Sequence, residues 1–160
     1  MILDEKLELA DAVSVALTAG ATPQNIGDVI DLGTARDLGG DRALYLVITV
    51  DTEVITAGAT GAMEFMLVSD GTDTIATDGS QSIHYVSEAF VTDDAAANDV
   101  RLSAGATPVI VQLPAEGVPY ERYLALQVVC LTTNTTAGKI NAFLTTDVAR
   151  WRSYDAPFQL

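Results

Sequence analysis

Residues 7–17 read Leu-Glu-Leu-Ala-Asp-Ala-Val-Ser-Val-Ala-Leu. Leu7, Leu9, Val13, Val15 and Leu17 share odd positions, while Glu8, Ala10, Ala12, Ser14 and Ala16 fill the even ones. A helix brings its apolar residues back at spacings of three and four, whereas a spacing of two lines one face of a strand. One long strand or two short ones is the expectation here. The same reading holds at Val29–Leu32, Leu44–Val50, Glu64–Ser69, Ile83–Thr92, Val109–Leu113, Tyr123–Leu131 and Ile140–Thr146, with a short piece near Val100–Leu102. Leu44–Val50 (LYLVITV) is apolar and β-branched enough for a strand covered on both faces. About eight to ten strands and no amphipathic helix make the chain all-β.

Turn chemistry agrees. Asp70-Gly71 and Asp78-Gly79 tolerate the positive φ of tight turns, and Pro108, Pro114 and Pro119 fall beside strands rather than within them. Ala-Gly-Ala-Thr occurs at residues 19–22, 57–60 and 104–107 with unequal spacing, so it is read as small-residue connections rather than as a repeat. Asp93–Asp99 is expected to be a solvated loop or a short helical turn. With a single Cys the antibody-type Cys and Trp pattern is impossible, and the expected architecture is an antiparallel β-sandwich of jelly-roll type over residues 1–148. Residues 149–160 are expected to form an extended C-terminal arm.

The 160 residues carry 22 acids against 8 Lys and Arg, a net charge of −14. Nucleic acid and anionic membranes are bound through clustered Lys and Arg, so neither is an expected partner. Cys130 has no intrachain disulfide partner, the first residues (MILDEKLELADA) do not read as a signal peptide, and folding in a reducing cytoplasm is expected.

No chemistry-bearing motif emerges, so no enzymatic activity and no cofactor are expected. One His and one Cys cannot supply the four ligands of a structural zinc site. Asp70, Asp73 and Asp78 could offer oxygens to Ca²⁺, but the ligand order of an EF-hand is missing and the turn reading is preferred. His84 lies in a strand pattern without a nucleophile motif and is read as a surface or edge residue. Cys130 keeps register with Leu124, Leu126 and Val128, which aims its thiol into the core.

Two features suit binding. The C-terminal stretch concentrates the only Trp with two of the eight basic residues; Arg150, Trp151, Arg152, Tyr154 and Phe158 are the candidate partner-binding residues. The second feature is scarce Lys: Lys6 and Lys139 alone are available to guard strand edges, which favours pairing with another chain or self-association.

Three segments carry a family likeness: VIDLGTARDLGGDRALYLVITVD (residues 29–51), LPAEGVPYERYLAL (113–126) and TAGKINAFLTTD (136–147). With the opening MILDEKLELADAVSV they resemble the capsid cement (decoration) proteins of short-tailed bacteriophages of the Bordetella-phage type; residues 71–99 have no matching feature. The resemblance implies a structural virion protein, a jelly roll on the outer capsid surface that clamps neighbouring HK97-like coat subunits. Its partners are then the phage major capsid protein and a second copy, a dimer rather than a trimer. A carbohydrate-binding jelly-roll module of a phage tail or head is the alternative.

Overall fold

Nine strands are present in a computed structural model that describes residues 5–20, 22–36, 38, 43–56, 60–94, 98–114 and 119–148. They are β1 (Glu8–Ser14), β2 (Gln24–Asp31), β3 (Tyr45–Thr56), β4 (Gly61–Asp70), β5 (Ser82–Val86), β6 (Phe90–Thr92), β7 (Val109–Gln112), β8 (Tyr123–Leu131) and β9 (Thr135–Thr145). One sheet runs β1-β9-β3-β7 and the other β2-β8-β4-β5, with β6 continuing the β5 edge along β4. All pairings are antiparallel.

This order is a long hairpin folded over on itself. Counting β5 and β6 as one interrupted strand, the chain pairs β4 with β5/β6, β3 with β7, β2 with β8 and β1 with β9, working outward from the tip. Rolling that ribbon brings β9 onto β3 and β8 onto β4. The result is the two-sheet jelly roll, which leaves four edge strands: β1 and β2 on one side, β7 and β5/β6 on the other.

Side-chain alternation fills the space between the sheets. Leu46, Ile48 and Val50 of β3 and Ile140, Ala142 and Leu144 of β9 share a core with Phe65 and Leu67 of β4 and Leu124, Leu126 and Val128 of β8. A second cluster lies on the far face of the β2-β8-β4-β5 sheet: Met66, Val68, Ala125 and Val129, closed by Ile75 from the β4–β5 loop. Polar side chains hold that loop down. The Asp70 carboxylate accepts from the Thr72 and Ala76 N–H groups. Buried Gln127 accepts from Gln81 and donates to Asn25 Oδ1 and the Ala76 carbonyl, while Asn25 donates to the Ile75 carbonyl.

The strand list needs three corrections. Val100–Leu102 is a 3₁₀ turn capped by the Asp99 side chain, since three residues of alternating character are too few to tell a strand from a turn. Ile83–Thr92 is two strands rather than one, because Ser87 leaves the ladder to donate its hydroxyl to the Glu88 carbonyl and accept the Phe65 N–H. Val29–Leu32 is the end of a longer strand whose alternation is hidden by a bulge: the five residues from Ile26 to Ile30 span only three, Leu126 to Leu124, on β8. The opening stretch forms one strand, again bulged, with Asn141 Oδ1 accepting the freed Ala12 N–H at 2.6 Å.

Gly27 sits in the β2 bulge at φ +72°, and a Cβ there would lie 2.0 Å from the Leu9 carbonyl oxygen. It lets the edges of the two sheets touch. Gly27→Ala combines left-handed strain with that backbone collision, and should cost at least ~2 kcal/mol, read as a lower urea midpoint at unchanged slope. Gln127→Leu strands Asn25, Gln81 and the Ala76 carbonyl; it should cost ~1–3 kcal/mol and open residues 71–81 first in hydrogen exchange.

Candidate interaction surfaces

The residues expected to bind a partner, Arg150, Trp151, Arg152, Tyr154 and Phe158, lie outside the described residues, as do the other residues of 149–160, where the extended arm was expected. What the structure does place is the charge around the four sheet edges. Neither Lys residue sits on an edge strand: Lys6 precedes β1 and Lys139 is on the interior strand β9.

The β1/β2 side is acidic. Glu5, Lys6, Glu8 and residues 28–31 of β2 line an open groove of about 420 Å³ where the two sheet edges meet. Asp28 is exposed, and Val29 beside it is 38 % exposed. Asp31 is held by a two-pronged pair with Arg122, 2.8 Å from both Nε and Nη2. That guanidinium, with the Gly33 N–H, brings the carboxyl down to about 2. Asp31 therefore stays charged at any physiological pH. The pair is exposed and ties the end of β2 to the start of β8.

The opposite side has a different character. β5 is Ser-Ile-His-Tyr-Val and β7 is Val-Ile-Val-Gln, neither with an Asp, Glu, Lys or Arg. Ile83, Val86 and Val91 are 43–46 % exposed along the β5/β6 edge. A shallow groove of about 380 Å³ crosses the outer sheet face beside it, over Met66, between Pro23 and Ile83.

At the root of β5 is the cluster closest to a catalytic arrangement. Ser69 Oγ is 2.7 Å from His84 Nε2, and Glu121 lies near enough to favour the imidazolium. The parts do not work as a nucleophile, base and orienter. Ser69 is fully buried, so its hydroxyl has no path to a substrate. Its oxygen also accepts the Glu121 N–H, so both contacts tie the hydroxyl into the fold. The Glu121 carboxylate accepts from Ser82 at 2.6 Å. The imidazole stacks on Tyr120, ring centres 3.9 Å apart. These groups fasten β4, β5 and the 120–121 segment together. His84 is the edge residue the sequence suggests, but its partner across the β4–β5 pairing was not legible without the register.

The remaining candidates resolve locally. Asp70 and Asp78 accept N–H groups of their own turns, as the turn reading requires, and no group of three or more possible metal ligands stands together among the described residues. Cys130 is buried, its thiol 3.0 Å from the Thr133 carbonyl. Arg101 pairs with Asp99 and Glu88 and lies over the Phe90 ring. No described helix is long and apolar enough to cross a membrane.

Fold and surface define the class: a jelly-roll domain with an acidic side, an uncharged side, and polar clusters tied up in structure. The family model Bbp16 matches residues 9–144, and the chain belongs to the Bbp16 family, a family of phage proteins. No curated protein matches it.

Burial lowers the proton affinity of His84, against the smaller opposing pull of Glu121. The unfolded chain therefore takes up this proton at higher pH than the folded one. His84 costs nothing above its ordinary 6.5, and stability falls as the pH drops below that value. Thermal melts should decline as the pH falls below 6.5, and His84→Gln should flatten that decline. The lowered carboxylates of Asp31, Asp70, Asp78, Asp93 and Asp99 act separately, near and below 3.8.

Proposed function

We propose that the protein binds the outer surface of an HK97-like phage capsid and cements neighbouring coat subunits. Its partner is the major capsid protein, and it works as a homo-oligomer, a dimer rather than a trimer. It is made in the bacterial host cytoplasm and resides in the virion. In this reading it makes and breaks no bond and needs no cofactor.

The observation that carries the reading is the concentration of carboxylates along the β1/β2 side of a jelly roll belonging to a phage protein family. A rigid sheet edge with fixed negative charge suits a basic protein surface, and such charge tunes association rate and salt sensitivity. It also repels nucleic acid and anionic lipid. Arg150, Trp151, Arg152, Tyr154 and Phe158 add the residue types that anchor interfaces.

A cement acts through differential affinity. If it binds the expanded shell better than the immature one, its binding free energy is added to the stability of the expanded state. No moving part is needed.

The test is attachment to heads assembled without it. Glu8→Lys combined with Asp28→Lys should weaken binding at least tenfold with melting unchanged, and added salt should weaken the wild type in the same sense. Heads that never take up the protein would refute the reading. Uptake indifferent to salt and to the charge reversal would refute the assignment of the β1/β2 side.

A further inference from the structure

We infer that residues 149–156, the stretch beyond β9, dock in the groove between the β1 and β2 edges of their own chain, with Arg150 and Arg152 on its carboxylates. The argument begins with where β9 ends. β9 is interior, so a chain that leaves it and stays on the molecule passes over β1 on one side or over β3 and β7 on the other. Phe143 stands opposite Glu8, and Glu5–Leu7, a single 3₁₀ turn ahead of β1, packs against β9. The Asp147 N–H donates to the Thr145 hydroxyl, a turn out of the ladder at this same end. The exit therefore lies beside Glu5, Lys6 and Glu8, which form one wall of the groove; residues 28–31 form the other.

Reach is sufficient. An extended chain covers at most ~3.3–3.6 Å per residue, which places Arg150 within ~7 Å of Val148 and Arg152 within ~14 Å. Residues two apart on an extended segment share a face, so both guanidinium groups turn toward the same wall.

Charge selects the side. Residues 149–160 hold Arg150 and Arg152 against Asp155 alone, in a chain of net charge −14. The groove presents Glu5, Glu8 and Asp28; no ion pair among the described residues includes these three, whereas Asp31 is taken by Arg122. On the other side, β7 and Tyr45–Val50 of β3 carry no carboxylate. Exposed ion pairs are individually weak, but a short covalent tether raises the local concentration to about millimolar, and the two arginines act together. Exposed Val29 on the β2 edge offers apolar surface beside them.

The consequence for function rests on the capsid-binding reading; the contact itself does not. A segment of the protein's own, with the charge expected of the coat surface, covers the groove until a coat surface displaces it. Displacement frees Arg150, Trp151 and Arg152 for the shell, so one exchange exposes both halves of the proposed interface.

Trypsin cuts after arginine, so the rate of cleavage at Arg150 and Arg152 in the full chain, followed by mass, reports whether they are docked. A free peptide of residues 146–160 is the reference. At low salt the protein should be cut at least ~tenfold more slowly than the peptide, and raised salt should remove the protection. Glu8→Gln combined with Asp28→Asn should remove it too, with melting unchanged. Asp51→Asn combined with Asp78→Asn, which subtracts the same charge elsewhere, should leave it intact. Four results would overturn the inference: cleavage as fast as in the peptide, protection that survives either salt or the groove variant, protection lost equally in the Asp51 and Asp78 variant, and protection that grows with protein concentration and so comes from a second copy. Uptake by heads is scored separately. A segment released by the groove variant, in a protein that no head takes up, keeps the contact and removes the capsid reading; uptake of a protein whose segment is never protected does the reverse.

Discussion

Four interior strands, each paired with a neighbour on both sides, govern this molecule. β3 and β9 in one sheet, and β4 and β8 in the other, put one row of side chains into the shared core. β4 and β8 are also covered on their outer face, where Ile75 closes the cluster built on Met66, Val68, Ala125 and Val129. Each apolar side chain so enclosed contributes ~1.5–3 kcal/mol relative to exposure. Once those four strands are central, the other five have only edge positions to occupy. The surface chemistry of the protein is the chemistry of its edges.

That division explains which elements were legible. Tyr123–Leu131 has the same limits in the structure as in the sequence, because a strand enclosed on both faces shows as an unbroken apolar run. β2 was seen only at its C-terminal half: Gln24, Asn25, Gly27 and Asp28 face solvent, the lower loop or the bulge, and none repeats at a spacing of two. The break at Ser87 depends on a hydroxyl reaching the Phe65 N–H across the sheet, a long-range event with no local mark. Of the three Ala-Gly-Ala-Thr segments, the fully described one at residues 104–107 lies on the connection into β7 that crosses between the sheets.

The surfaces were harder to read. An excess of acids is plain from composition, but their gathering on β1 and β2 follows from the roll-up that makes those two strands adjacent edges. Likewise, five uncharged residues at 82–86 mean little until β5 is known to be an edge. The Ser69–His84 contact shows the reverse case: residue types associated with catalysis, placed by register into a buried fastening. In each instance topology, rather than residue type, decides what a side chain can do.

In the proposed reading the protein is a binding module whose working parts are fixed edges of unlike charge. The most direct measurement is quantitative mass spectrometry of purified phage particles, combined with surface labelling of intact, DNA-filled heads. The account predicts this protein at a constant ratio to the coat subunit and labelled from outside. Its absence from the particles, a ratio that drifts between preparations, or protection from the label by an intact shell would contradict it.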